Sequence, residues 1–288
     1  MSGPLRKIIS VVDKDFLPGA SDKSILSIEF QPDGFSFSIL DTLKAKYQLL
    51  EVFQSEDMDG FFGDPVELLK SVIHQSPYLQ NAYKEVILNY YSRHLLLHPE
   101  EGFKREDQIT LYSSFRKIPQ KYKLRIDKLS NLGGYGLYIV HEELLKLLDV
   151  SFPGHTLMHT GSAFIENYLG SIMPGNFKPD IILHVRHTNF ELLLMEDGGL
   201  SFYRLFPYQS FEDILFYLFL VLQNQNKKAQ DMDIMVVGEI HPNSINFKQL
   251  VSYFNQAGLA ERGHRYQYAP GFESIPGHFY YNVLNHLL

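Results

Sequence analysis

The stretch SILSIEFQPDGFSFSIL, residues 24–40, predicts two antiparallel strands joined by a tight turn. Apolar and polar residues alternate on both sides of its centre, which is typical of strands that bury one face. Pro32 presets the backbone for a turn, and Gly34 accepts a positive φ. This hairpin is the starting point for the prediction of the fold.

A third strand and a helix are predicted after the hairpin. Residues 47–53, YQLLEVF, predict the strand. The pair Asp64-Pro65 predicts the start of a helix that runs to about residue 75, because Asp is a good N-cap and proline suits the first helical position. The predicted order is therefore strand, turn, strand, turn, strand, helix.

The same order returns in the second half of the chain. Residues 181–185 and 190–195 predict two strands, and the turn Glu196-Asp197-Gly198-Gly199 leads into a third strand over 200–206. Residues 210–213 then resemble a capping box that opens a long apolar helix.

Two further strands with a helix between them complete each half. In the first half, we expect a strand at 136–140, a helix at 141–149 and a strand at 154–159. In the second half, we expect a strand at 233–237, a helix at 243–256 and a strand at 262–268. Each half then has the order βββαβαβ.

We therefore predict an α/β protein that arose by internal duplication. The first lobe is expected over residues 1–175, with an insertion near 76–132, and the second over 176–288. The alternative is that two unrelated β-meanders, each followed by a helix, share this pattern by coincidence, since such units are common.

Composition excludes several classes of protein. The 288 residues include 26 Lys and Arg against 33 Asp and Glu, a net charge of −7, which argues against a nucleic-acid binder with a broad basic surface. The absence of cysteine excludes disulfides, thiolate metal sites and a cysteine nucleophile. Residues 1–16 do not resemble a signal peptide, and the longest apolar run, 214–222, is too short to span a membrane. We expect a soluble, cytoplasmic protein.

The repeated pattern resembles the ribonuclease H-like, actin-like ATPase fold. As a whole, the chain resembles a family of uncharacterised bacterial proteins with that fold and, more distantly, the actin-like proteins of pilus assembly and cell division. The resemblance rests on the stretches SILSIEFQPDGFSFSIL (24–40), GLYIVHEELLKLL (136–148), PDIILHVRHTNFELLLMEDGGLSFYRLFPY (179–208) and IMVVGEI (234–240). It implies two lobes with a cleft that holds ATP.

The resemblance also implies which residues would contact the nucleotide. In the family, the hairpin turns of both halves cradle the phosphates, with glycines for close approach and an Asp that positions metal and water. The corresponding candidates, together with the glycine of the adenine-side loop, are Glu29, Asp33, Gly34, Arg186, His187, Thr188 and Gly238.

Three loops depart from the family pattern. Pro32 removes a donor from the first turn. The second turn, residues 184–189, has neither a carboxylate nor a glycine, and Gly238 is followed by the acidic Glu239. These departures predict a degraded nucleotide site, so that no cofactor and no catalytic residue is expected.

Other site motifs are weaker. There is no P-loop and no GxSxG elbow. The pairs His94/His98 and His155/His159 lack the carboxylates of a metal site, so no metal is predicted. The acidic residues Glu51, Glu56, Asp57 and Asp59 lie in and after the third strand. Most of them are interpreted as a solvated loop, with acid–base or metal chemistry by paired carboxylates as the alternative. The basic run 116–128 is interpreted as an exposed face, with contact to an acidic partner or a phosphate as the alternative.

We predict a non-catalytic pseudoenzyme that acts as a binding or assembly module, with a protein partner or a second copy of itself. The alternative is an ATP-binding or ATP-hydrolysing protein with atypical phosphate loops, which would use ATP and Mg²⁺. A metal-dependent nuclease of the related fold is a third class, for which Glu29 is the only strand acid in a suitable place.

Overall fold

The chain forms two compact units in a computed structural model. The residues that the structure describes are 5–17, 22–32, 34–55, 65–170 and 177–285. Unit 1 comprises Met1–Gly170, Gly263–Glu273 and Asn282–Leu288, and unit 2 comprises Ser171–Arg262 and Ser274–Tyr281. Two late segments of the chain thus belong to unit 1, and a single division at 175/176 stays a prediction.

Unit 1 is built on a mixed sheet. The first four strands pair in an antiparallel manner, whereas β5 and β9 run parallel to β2. The strands, in spatial order, are β1 (Leu5–Val12), β4 (Lys46–Ser55), β3 (Gly34–Asp41), β2 (Ser24–Gln31), β5 (Glu85–Tyr90) and β9 (Thr156–His159). The predicted hairpin and third strand are confirmed as β2, β3 and β4.

The two faces of this sheet differ in polarity. Leu26, Ile28 and Phe30 point into an apolar core that includes residues of helices α1 (Pro65–Gln75) and α3 (Glu142–Ser151). The alternate side chains of β2 are polar, and they are also buried. The alternation in the sequence therefore corresponds to two buried faces of the sheet, one apolar and one polar. The polar face carries the site described below.

A second, three-stranded sheet corrects one strand assignment. It has the order β6 (Leu96–Pro99), β8 (Gly134–His141) and β7 (Tyr122–Leu129), and helix α2 (Gln108–Phe115) lies between β6 and β7 in the chain. Residues 136–140 form a strand as predicted, but in this sheet. The fourth strand of the main sheet is β5, which lies inside the stretch 76–132 that we had assigned to an insertion. The error arose because both segments are short and apolar, and periodicity cannot say which of them pairs with β2.

Unit 2 repeats the strand order of the main sheet of unit 1. Its strands run in the spatial order β12 (Gly199–Pro207), β11 (Asn189–Glu196), β10 (Ile181–Val185), β13 (Asp233–Gly238) and β14 (Gln256–Leu259). The prediction of a last strand over 262–268 was wrong. The fifth strand is β14, while Gln267–Tyr268 (β15) pairs with β4 of unit 1.

The helices of unit 2 pack on the apolar face of its sheet. Ser210 and Asp213 form the predicted capping box of α5 (Phe211–Asn224), and the second helix, α6 (Ile245–Val251), is capped by Ser244. The last helix of the described residues, α7 (Tyr281–Leu284), begins at the final residue of unit 2, and its other residues belong to unit 1. Within the described residues, none of the helices is long and apolar enough to cross a membrane.

Candidate functional site

In unit 1, the candidate site lies at the C-terminal end of β2. Glu29 is buried, and its Oε1 atom accepts hydrogen bonds from Gln31 Nε2 at 2.7 Å and from Asn282 Nδ2 at 2.8 Å. Asn282 Nδ2 also lies 3.2 Å from the carbonyl oxygen of Thr160, at the start of α4 (Thr160–Gly170). Asn282 therefore links the C-terminal segment of the chain both to the Glu29 carboxylate at the end of β2 and to the backbone at the start of α4.

Several polar atoms around Glu29 have no hydrogen-bond partner within the described protein. Asn89 lies beside Glu29 in the parallel β2–β5 register and is fully buried, yet neither its Oδ1 nor its Nδ2 atom is bonded. The same holds for Gln31 Oε1, Thr160 Oγ1 and Asn282 Oδ1. Such atoms cost about 1–3 kcal/mol each when they stay unbonded, so this cluster is a place where water or a ligand would bind.

Sequence reasoning missed three members of this cluster. Asn89 had one usable signal, an amide within the apolar strand segment EVILNY. Thr160 and Asn282 gave none, because nothing in their spacing shows that their backbone and side chain meet at the end of β2.

Gly34 has a structural role in the first turn. It is the first residue of β3 and pairs with Gln31. A Cβ atom on Gly34 would lie 2.3 Å from the carbonyl oxygen of Phe53 on β4, so glycine is needed for the close approach of the two strands. The positive φ at Gly34 stays a prediction. Asp33 lies outside the described residues. Contact of Gly34 with a phosphate stays a prediction.

In unit 2, the turn between β10 and β11 is organised by a buried ion pair. Arg186 Nη1 lies 2.6 Å from Glu191 Oε2, and both side chains are buried. Tyr203 donates to the other oxygen of Glu191 at 2.6 Å, and His184 Nδ1 lies 3.1 Å from Oε2. Arg186 thus points toward the sheet and holds a carboxylate of its own chain.

The charges of this cluster are fixed by their surroundings. Burial alone would raise the pKa of Glu191, but the Arg186 charge and the bonds from His184 and Tyr203 hold that pKa well below its usual range. Burial and the Arg186 charge lower the pKa of His184 to about 4. The cluster therefore consists of a carboxylate, a guanidinium and a neutral imidazole at neutral pH.

The other predicted residues of this turn differ in exposure. His187 is exposed and Thr188 is half-buried. The backbone of the turn is held by Tyr208, whose N–H donates to the carbonyl of Thr188 and whose hydroxyl donates to the carbonyl of Arg186. Of the predicted side chains, His187 is the one that the fold leaves accessible.

Gly238 closes β13 against the same turn. Its φ is +89°, and a Cβ atom would lie 2.0 Å from the carbonyl oxygen of Val185. The next residue, Glu239, donates its N–H to that carbonyl at 2.7 Å, and Gly238 N–H donates to the carbonyl of His278. The glycine is thus required by the packing of β13 against the end of β10.

A second buried acid lies where the two sheets of unit 1 meet. Asp127 on β7 accepts hydrogen bonds from the Tyr138 hydroxyl and from the His159 N–H. His159 itself contacts the backbone of Ser92 and Gly161 through its two ring nitrogens, so it is committed to structure rather than to a metal pair with His155. Burial raises the pKa of Asp127 to about 6, although these bonds oppose the shift.

The raised pKa of Asp127 predicts that the free energy of unfolding depends on pH. The folded protein binds this proton more tightly than the unfolded chain, so the contribution to stability is full below pH 3.8 and is lost as the pH rises through about 6. Relative to Asp127→Asn, the wild type should lose up to about 3 kcal/mol of unfolding free energy across this range. Urea unfolding at several pH values measures it, and a difference that stays constant with pH would contradict the assignment.

The remaining charged motifs have structural partners. Glu51 lies buried in β4, the predicted third strand, and pairs with Lys7 at 2.6 Å, while Glu56, Asp57 and Asp59 lie outside the described residues. In the basic run, Lys123 pairs with Glu142 and Lys128 with Glu100. Among the described residues, no group of three or more His, Asp or Glu is arranged to hold a metal ion.

Comparison with known proteins gives a family and a fold. A family model described as "Protein of unknown function (DUF3822)" matches residues 13–257. None of the curated proteins matches the chain.

Several solved structures are similar in fold, among them the following two. One is a Bacteroides thetaiotaomicron protein with actin-like ATPase fold and unknown function, with a TM-score of 0.69, 20% identity and coverage of 83% of this chain and 91% of that one. The other is the PilM-PilN type IV pilus biogenesis complex, with a TM-score of 0.57, 12% identity and coverage of 90% and 96%. The predicted actin-like ATPase fold is confirmed.

Proposed function

We propose that this chain, which belongs to the DUF3822 family of proteins of unknown function, is a binding or assembly module with a degenerate nucleotide site. It uses the actin-like ATPase fold as a scaffold and does not hydrolyse ATP. The observation that carries the proposal is the buried Arg186–Glu191 ion pair in the second turn.

This pair counts against a phosphate site in unit 2. Arg186 is the one strong cation of the turn, and its buried charge already neutralises Glu191 at 2.6 Å. An anion that drew Arg186 away would leave a buried carboxylate without its guanidinium, at a cost of several kcal/mol. The turn offers no glycine for backbone approach and no carboxylate for Mg²⁺.

The residues of unit 1 fit Mg²⁺-ATP poorly as well. Gly34 is required by the approach of β4, and Pro32 has no N–H to offer a phosphate. The Oε1 atom of Glu29 already accepts two amide hydrogen bonds. These contacts support a role for unit 1 that does not depend on Mg²⁺-ATP.

A structure of similar fold supports the proposed role in binding a protein partner. The PilM-PilN structure is a type IV pilus biogenesis complex, so a protein of this fold takes part in an assembly. At 12% identity the likeness carries the fold alone, and the transfer of a partner-binding role to this chain is our proposal.

The alternative function is favoured by the unbonded polar cluster around Asn89. A nucleotide or another polar ligand would satisfy the free atoms of Asn89, Thr160 and Asn282. Glu29, Asp33, Arg186, His187, Thr188 and Gly238 would then be the contacts, with ATP and Mg²⁺ as ligands.

A thermal-shift titration distinguishes the two functions. The wild type is heated with ATP, with ADP and with no nucleotide, each with and without Mg²⁺, and Glu29→Ala is run in parallel. We expect equal melting temperatures in all wild-type samples. A rise with ATP that needs Mg²⁺ and disappears in Glu29→Ala would support the alternative.

A further inference from the structure

Helix α5 exposes an apolar stripe on the side that faces away from the core of unit 2. Ile214, Leu218 and Val221 are buried in that core. On the opposite side, Phe216 is 61% exposed and Leu220 is 39% exposed. Residues four apart lie on one side of a helix, so these two side chains form one continuous patch.

A neighbouring ring extends the patch. Tyr253, which follows α6, is 39% exposed and contacts Phe219 edge to face, with 5.1 Å between the ring centroids. Large apolar side chains that cluster on the surface of a protein mark interaction sites more often than single exposed ones do. The patch is therefore a candidate surface for binding a partner.

Opposite charges stand at the two ends of the stripe. Glu212 is exposed in the first turn of α5, one helical turn before Phe216. Lys228 is exposed just after the helix ends. Neither makes an ion pair with another described residue, whereas Asp213 is used in the capping box and Lys227 pairs with Glu196.

We propose that the occupant of this patch is a second copy of the chain, docked with the two α5 helices antiparallel. A two-fold axis beside residue 218 places Phe216 against Leu220 of the second copy. The same axis brings the first turn of one α5, which carries Glu212, beside the last turn of the other, which ends at Asn224, four residues before Lys228. The acidic end of each helix thus faces the basic end of its partner. A surface that is complementary to itself in this way is what a two-fold dimer requires.

The interface rests on the proposed assembly function, because it names the partner. The charges favour a second copy over an unrelated protein, since an antiparallel pair satisfies both ends of the helix with residues of this one sequence. The contact energy comes from the apolar centre, and the ion pairs fix the orientation, since exposed pairs contribute at most about 1 kcal/mol each.

Sedimentation equilibrium of the full chain tests the interface. We expect the mass to rise with concentration from 33.3 kDa to twice that value. Phe216→Glu should weaken the association at least tenfold. Phe115→Glu is the matched control, because Phe115 is 64% exposed on α2 of unit 1 and should have no effect.

Charge reversal tests the orientation. Glu212→Lys and Lys228→Glu should each weaken the dimer several-fold, and the double variant should restore it, because both contacts are then reversed together. A chain that stays at 33.3 kDa at every concentration, or a dimer that Phe216→Glu leaves unchanged, overturns the interface. A monomer that does not bind ATP would overturn the interface but not the proposed function, whereas a dimer that hydrolyses ATP would do the reverse.

Discussion

Glu191→Ala is expected to lower the free energy of unfolding by about 3–5 kcal/mol, because it removes one partner of a buried ion pair whose atoms lie 2.6 Å apart. The hydroxyl of Tyr203 and the ring of His184 lose an acceptor in the same variant. Urea unfolding at neutral pH measures the effect.

A control in the same strand isolates the role of burial. Glu196 on β11 pairs with Lys227 at 3.3 Å, but this pair is exposed, so Glu196→Ala should cost less than about 1 kcal/mol. The double variant Arg186→Met/Glu191→Leu should recover much of the loss, since it removes both charges. Equal costs for Glu191→Ala and Glu196→Ala would contradict the inward orientation of Arg186.

Gly238→Ala is expected to destabilise unit 2 by at least about 4 kcal/mol. The backbone at φ +89° already disfavours an L-residue by about 1–2 kcal/mol. The added Cβ would also lie 2.0 Å from the carbonyl oxygen of Val185, so β13 has to move away from the end of β10 and the Glu239 hydrogen bond is lost.

Gly198→Ala separates strain from contact. Gly198, in the turn between β11 and β12, has φ +81° with no atom within 4 Å of its Cβ position. It should therefore show the conformational cost alone, about 1–2 kcal/mol. If the two alanine variants unfold at the same urea concentration, the close packing of Gly238 against Val185 is wrong.

Local signals predicted much of the fold. The turn at 31–34, the turn at 196–199 and the capping box at Ser210 each depend on a few neighbouring residues, and all three lie where expected. The alternation in 24–30 placed the central strand of unit 1, because period-two patterning follows directly from strand geometry. The apolar, β-branched start of 181–185 placed the central strand of unit 2.

The sequence did not predict which strands pair when they lie far apart in the chain. β5 and β8 are both short apolar segments, and the choice of β5 as the neighbour of β2 depends on tertiary contacts that a single sequence does not encode locally. The same limit applies to the last strand, where β14 rather than 262–268 completes the sheet of unit 2.

In the candidate site, too, local signals were predicted and long-range contacts were not. Arg186 was singled out as a residue that touches phosphate through its side chain, but its partner Glu191 was not seen, because that pairing depends on the β10–β11 register. The roles of Glu29, His187 and Thr188 toward a nucleotide stay predictions. Asn89, Thr160 and Asn282 come together only in the folded chain.

The titration of the wild type with Mg²⁺-ATP tests the central claim most directly. A ligand at about 100 times its dissociation constant stabilises the native state by about 2.7 kcal/mol, which raises the melting temperature of a chain of this size by several degrees. The account predicts no rise at millimolar ATP. A rise of several degrees, abolished by Glu29→Ala, would contradict it and show that the fold still binds its nucleotide.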